Sequence, residues 1–449
     1  MFFLAILFFL LCALSVIIYV HIGLKRSDLA FILTLYVVLL WPTYLNVKIG
    51  SLPNIGLDRI FVLLFLFTML AKKFSGWKGY LKSADFPLAL YALFGFWMIL
   101  VGLLSPFSKV AATYAVVNWF FFGPFLAVSV ISIFNGANGA HRLLLHLYII
   151  SLIVNILGLL EVFSGEPLFA ELSALLGVNR EGLVEGFYRD GRARVISVFS
   201  SPLVYAQFLL VTLCLSLMRY VESSGPFKLL AALNILLSYI LLLKTGSRAG
   251  LAISLLLPII FLYIKLWRIN FALPLLKFGL FCLMSLLSLS VYWLYVTYIS
   301  DARNLETLMA YGYVSTSEAS SLARVLQWDL GLEAFKERPF LGYGEGQAGE
   351  AIISTIVLDN YYLTRLLSGG VLGLILFLMP ILILVRYGFV ALTNGEKRAI
   401  YPLSAVACLL IFYFILSINR LDTLLFVLFG VLVLYWNSVK VKSIKGGGA

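Results

Sequence analysis

The stretch LLLKTGSRAGLAISLLL, residues 241–257, holds two apolar runs with a short polar break between them. The break, Lys244–Gly250, carries two cations, Lys244 and Arg248, and two glycines, Gly246 and Gly250. Neither run alternates apolar with polar residues, so neither reads as a strand of a membrane barrel. Each continues into an apolar segment close to the ~20 residues a helix needs to cross a bilayer. The stretch therefore reads as helix, tight turn, helix, within a membrane. Two roles are open for its polar residues. They close one helix and open the next, or the cations face an anion. In the second case the N–H groups of Gly246, Ser247 and Gly250 would help to hold that anion.

The pattern repeats outward along the whole 449-residue chain, which is 62% hydrophobic and 12% charged. That charge content is about half of what a soluble domain carries. Apolar segments lie near 2–20, 28–45, 59–71, 84–104, 111–134, 141–163, 201–219, 227–243, 249–265, 272–299, 361–385, 401–417 and 421–438. They predict an all-α polytopic membrane protein of about 12–13 transmembrane helices. The first run lacks the basic start and small-residue cleavage site of a secretory signal and reads as a span. The organisation is N-terminal transmembrane helices over 1–163, an Arg-rich loop over 164–200, and central helices over 201–299 with the 244–250 turn. A long loop with an amphipathic helix follows over 300–360, then C-terminal helices and a basic tail over 361–445.

Charge sorts by side of the membrane. Short loops bearing Lys25 and Arg26, Lys72 and Lys73, Arg142, Arg219 and Lys228, Lys397 and Arg398, and Lys440 alternate onto one side. The positive-inside rule makes that side cytoplasmic. The net charge of +12 thus follows topology and does not point to nucleic acid. Both long loops then face outward, with more Arg than Lys. Arg suits bidentate contact with phosphate or carboxylate, and the competing reading pairs each Arg with an external acid. His21, His141 and His146 all sit at cytoplasmic span ends, leaving no external His as base or ligand. Cys12, Cys214, Cys282 and Cys408 lie inside apolar runs without metal-ligand spacing and read as core residues. No Walker A or Asp-x-Asp motif is present, so neither a nucleotide cofactor nor a nucleotide sugar is expected on the inside.

In the second loop a polar stretch, STSEASS, precedes a helix whose Val325, Trp328, Leu332 and Phe335 share one face. Ser320 or Ser321 is placed to cap it and Pro339 to stop it. The plainest role for this helix is a lid without chemistry. Asp359 stands where the loop enters the next span, as N-cap or as general base. Gly369, Gly370 and Gly373 would let helices approach closely.

Gly246-Ser247-Arg248-Ala249-Gly250, Arg194 ahead of Phe199, and Arg324…Trp328…Pro339-x2-Gly342-x-Gly344 occur in the order seen in one family. Over about 189–387 the chain resembles the O-antigen ligase and Wzy-type polysaccharide polymerase superfamily. Its ligases carry a His followed by Asn, Ser or Gln, then spaced glycines. Asn360, Gly370 and Gly373 keep that spacing here, and Asp359 stands at the His. The resemblance implies a metal-independent, inverting GT-C-type glycosyltransferase in the bacterial cytoplasmic membrane, with its site on the outer face. The substrate implied is a polyprenyl-diphosphate-linked oligosaccharide, with membrane lipids and a chain-length-regulating membrane protein as further partners. On that reading Asp359 is the base and Arg248 the first catalytic cation. Arg192, Arg194, Arg324, Arg365 and Lys244 join Arg248 around the diphosphate. Asn360, Tyr361 and Trp328 contact sugar, with packing as the competing role for Tyr361 and Trp328. The Asp in place of His favours a polymerase over a ligase, with a protein O-glycosyltransferase third. A transporter or lipid flippase is the rival of another class. It would place ionisable residues within spans and show repeated halves, whereas the span interiors here offer Asn118, Asn155, Gln207 and Asn234.

Overall fold

The computed structural model describes residues 16–45, 56–71, 85–175, 187–189, 192–266, 316–352, 358–414 and 422–446. The expected span 272–299, most of 2–20, and Asp190 and Gly191 of the Arg-rich loop lie outside the described residues. Sixteen α-helices are described: α1 Val16–Lys25, α2 Ser27–Leu40, α3 Leu57–Ala71, α4 Asp85–Leu103, α5 Lys109–Phe122, α6 Pro124–Ile133, α7 Gly136–Ser164 and α8 Ala170–Leu175. After a strand pair, β1 Tyr188–Arg189 and β2 Arg192–Ala193, come α9 Pro202–Glu222, α10 Gly225–Lys244, α11 Arg248–Leu266, α12 Thr316–Glu337, α13 Ala348–Ala351, α14 Tyr361–Thr393, α15 Ile400–Phe412 and α16 Asp422–Gly446. Among the described residues six helical stretches are long and apolar enough to cross a membrane: Lys109–Ile133, α7, α9, α10, α14 and Asp422–Lys440. The protein is an all-α, multi-pass membrane protein.

Three expectations shift. The run 111–134 is broken at Gly123, whose φ of −120° and ψ of −99° interrupt the helix just before Pro124. A proline at the first helical position restarts it without losing an intrahelical bond. The STSEASS stretch is largely inside α12, which begins at Thr316, so Ser320 and Ser321 do not cap it. The buried face of α12 is also rotated from the expected one. Gln327, Gly331 and Ala334 are buried, while Leu332 is 37% exposed. The reason is Gly331, which gives α14 its closest approach: a Cβ there would stand 2.9 Å from Leu363 Cδ2. The helix is packed against a span, not laid loosely as a lid.

The chain divides into two compact units. The first comprises 1–84, 125–247 and 426–449. Its helices α7, α9 and α10 are joined by side-chain amides and hydroxyls. Asn155 Nδ2 donates to Asn234 Oδ1 and to Ser238 Oγ, both at 2.9 Å, and Asn234 Nδ2 donates to Ser216 Oγ at 2.7 Å. Lipid supplies no hydrophobic drive between helices, so packing and such bonds do the joining.

The second unit comprises 85–124 and 248–425, with α14 packed against α4, α12 and α15. Gly369 and Gly373 receive Trp97 and Met98 of α4, and Trp97 Nε1 donates to the Gly369 carbonyl at 2.8 Å. Gly370 does something else. Its φ of 67° and ψ of −170° break α14, and the loop after α12 enters the gap. Val371 N–H donates to the Pro339 carbonyl at 2.9 Å, Tyr343 N–H to Leu367 at 2.8 Å and Gly344 N–H to Ser368 at 2.9 Å. Gly342, with φ of 70°, lies against the same backbone. Pro339-x2-Gly342-x-Gly344 and Gly370-x2-Gly373 are thus two sides of one contact. Donors lost at the helix break are regained from the loop, as buried backbone groups require.

Candidate functional site

In the first unit, the turn that opened the sequence is a true tight turn. Helix α10 ends at Lys244, and Gly246 takes φ of 63°, which glycine adopts without strain. Gly246 N–H donates to the Leu243 carbonyl and Ser247 N–H to Thr245 Oγ1. Those two N–H groups serve the turn, which corrects the expectation that they hold an anion. The turn also has a cation docked on it. Arg194 Nε donates to the Thr245 carbonyl at 2.7 Å, and Val195 N–H to the Lys244 carbonyl at 3.3 Å. A guanidinium here satisfies a carbonyl at a helix C-terminus and meets the negative end of its dipole.

A residue not singled out from sequence holds Arg194 in place. Glu161, fully buried near the end of α7, accepts the Ile196 N–H at 2.5 Å and the Ser197 N–H at 3.0 Å. This clamp fixes the Arg194–Phe199 segment, and Phe199 stacks on Tyr205. Arg192 is exposed on β2, opposite Arg189, and Lys244 is exposed at the end of α10. The first unit therefore gathers Arg194 and Lys244 at one turn, with Arg192 two residues from Arg194.

In the second unit Arg248 is exposed at the start of α11. Asp359 is not the N-cap of α14. Asn360 is: its Oδ1 accepts the Leu363 N–H at 2.9 Å, and its Nδ2 donates to the Phe414 carbonyl at 2.8 Å. Both ends of the Asn360 amide are occupied, so its expected sugar contact is replaced by capping. The Asp359 carboxylate is left for another purpose. Its backbone N–H donates to Gln327 Oε1 at 3.0 Å, and its Oδ2 lies 3.7 Å from Arg324 Nη2. The Asp359 and Arg324 side chains are 29% and 35% exposed. Desolvation pushes the Asp359 carboxyl above the usual carboxylate range, and Arg324 partly opposes it. Trp328 is half-buried and packs against the cluster formed by Tyr343, Leu358, Leu363 and their neighbours. That is the packing role.

Arg365 is a correction. It is 1% exposed and pairs with Glu345, donates to the Tyr361 hydroxyl, and lies 3.8 Å from Asp422. The Asp422 carboxylate accepts the Tyr361 hydroxyl at 2.7 Å and the Tyr413 hydroxyl at 2.6 Å. Phe94, Trp119 and Phe377 rings surround the guanidinium. A buried charge has to be paired, and Arg365 is paired inside the protein. It does not reach a diphosphate, and Tyr361, fully buried, does not reach a sugar. The sequence signals for this cluster were slight: a Glu between two glycines and an Asp opening a span.

The structure thus brings Arg324 to Asp359, and Arg194 to Lys244. A family model described as O-antigen ligase matches residues 232–378, and no curated protein matches the chain. The matched segment takes in the 244–250 turn, Arg324, the loop-to-α14 contact and Asp359. Over residues 232–378, about a third of the chain, the sequence is similar to the O-antigen ligase family.

Proposed function

We propose that the protein is a polysaccharide polymerase acting at the outer face of a bacterial cytoplasmic membrane. It transfers a glycan from polyprenyl diphosphate to a sugar hydroxyl of a second lipid-linked repeat unit. The observation that carries this is Asp359: a half-buried carboxylate beside Arg324, at the position where the family's ligases have His. Burial raises its affinity for a proton, which suits a general base.

In the reaction the acceptor hydroxyl oxygen bonds to the donor's anomeric carbon as the bond from that carbon to the diphosphate oxygen breaks. The hydroxyl proton passes to Asp359. The electron pair leaves with polyprenyl diphosphate, a weak base that needs no protonation. Charge developing on the leaving group is stabilised by placed cations. Arg248 is the first of these, on the same unit as Asp359. Arg324 holds Asp359 in position. Attack opposite the leaving group inverts the anomeric centre.

A ligase is the second reading, favoured by the description of the matching family. The two differ in acceptor. The test supplies the purified protein in nanodiscs with its polyprenyl-diphosphate oligosaccharide, beside Asp359→Asn and Arg248→Ala. A ladder of lipid-linked multiples, lost in both variants, is the expected result. Transfer only after addition of lipid A core would make it a ligase, and no transfer from authentic donor to any acceptor would refute the transferase.

A further inference from the structure

The first unit has a hollow of about 500 Å³ at the ends of four helices. Lys25 closes α1, Ser27 opens α2, and Phe134 and Asn135 separate α6 from α7. Three cations line it: Lys25, Arg26 and Arg142. Arg26 stands between α1 and α2 and Arg142 on α7, and both meet one carboxylate. Arg26 Nη2 and Arg142 Nη1 lie 3.0 and 2.9 Å from Asp28 Oδ2. Three cations against one carboxylate leave the hollow with a net charge of +2. A guanidinium has five N–H donors in a planar fork. Asp28 engages Nε and Nη2 of Arg26 and Nη1 of Arg142, so each guanidinium keeps a further edge.

The helix end adds to the cations. Asn135 is the N-cap of α7, yet its side chain makes no capping hydrogen bond. An N-terminus without that acceptor favours an anion, and the amides of Asn135 and Asn138 line the same hollow. With 29 residues, α7 is about 43 Å long, longer than the ~30 Å hydrocarbon core. Its ends therefore reach headgroup level. Apolar surface adjoins: Leu24, next to Lys25, is 46% exposed, and Ile18 is 49% exposed. The positive-inside rule accounts for cations near span ends. It does not account for two arginines converging on one carboxylate around an open hollow.

We propose that this hollow binds the phosphodiester headgroup of an anionic phospholipid. Arg26, Arg142 and Lys25 contact the phosphate oxygens, and the acyl chains lie along the apolar face of α1. Asp28 holds the two guanidiniums apart and oriented. An inorganic phosphate shares the headgroup's chemistry but has no chains for Ile18 and Leu24.

The test uses the full chain in nanodiscs of phosphatidylcholine with and without phosphatidylglycerol. Lipid retained by the released protein is counted by native mass spectrometry. The expected preference for phosphatidylglycerol is about thirtyfold, from the usual gain per basic residue at an anionic surface. Lys25→Gln, which breaks no ion pair, lowers it about fivefold. Arg26→Gln with Asp28→Asn and Arg142→Gln, which leaves no unpaired carboxylate, abolishes it, with thermal unfolding checking that the variant is folded. Inorganic phosphate does not displace the lipid. Displacement by inorganic phosphate alone would make the site one for a free anion. Equal retention of the two lipids, or a preference unchanged in both variants, would overturn the proposal.

Discussion

Two arginines of the second unit, Arg324 and Arg365, look alike in the sequence and differ in the structure. Each lies in the long loop or the span it enters, and each meets a carboxylate. The Arg324–Asp359 pair has both side chains about one-third exposed and its charged atoms 3.7 Å apart. The Arg365–Glu345–Asp422 set is within 3% of full burial. A half-open pair is weakly bound and can exchange its partner for a substrate group. A sealed one cannot release its cation without leaving a buried charge unpaired. Residue type was therefore a poor guide to which arginine faces a ligand; burial decides it.

The comparison can be broken most directly at Asp359. Asp359→Asn should lower the polymerisation rate about 10²–10⁴-fold while the melting temperature stays near that of the parent. Turnover and thermal unfolding on the same preparation would check both halves. A melting shift with unchanged turnover per folded molecule would make Asp359 a structural partner of Arg324 instead. At the sealed site the expectation reverses. Arg365→Ala should cost about 3–5 kcal/mol of stability, seen as a lower denaturation midpoint, because Glu345 and Asp422 lose their cation. An Arg365→Ala protein of parental stability that fails to bind donor would return Arg365 to the diphosphate.

Smaller effects sharpen the picture. Gly370→Ala should cost about 1–3 kcal/mol from its positive-φ extended backbone, a region essentially confined to glycine, and more from the Pro339–Phe340 backbone that lies against it. The denaturation midpoint reads this too. The pH dependence is the finest probe. Asp359 acts as a base only when ionised, and burial raises its carboxyl above the usual range. The rate should therefore fall on acidification at a higher pH than an ordinary carboxylate would give. Arg324→Gln removes the opposing charge and should move that limb to still higher pH. A limb that moves down, or stays in place, would separate Arg324 from Asp359.

Much of the helical layout was legible. Hydropathy and span length are local properties, so α2, α3, α4, α7, α9, α10 and α11 fall close to their expected positions. Breaks were less legible. Gly123 and Gly370 interrupt apolar runs without changing their hydropathy, and the loop that fills the break at Gly370 comes from Pro339–Gly344. The spacing of Pro339, Gly342, Gly344, Gly370 and Gly373 was visible, but not that it records one backbone-to-backbone contact. The face of α12 was misplaced because large apolar side chains mark an amphipathic stripe in sequence. In the fold, a glycine and two smaller residues set the closest approach.

The sequence by itself determined that the chain is a helical membrane protein and where most of its described helices lie. These follow from residue type and order alone. Only the tertiary structure decided which polar groups are spent on the fold. Asn360 caps α14, Arg365 neutralises Glu345 and Asp422, and Glu161 clamps the segment that brings Arg194 to the Lys244–Gly246 turn. Each of these assignments depends on a partner brought near by packing, and burial makes leaving such a group unpaired costly.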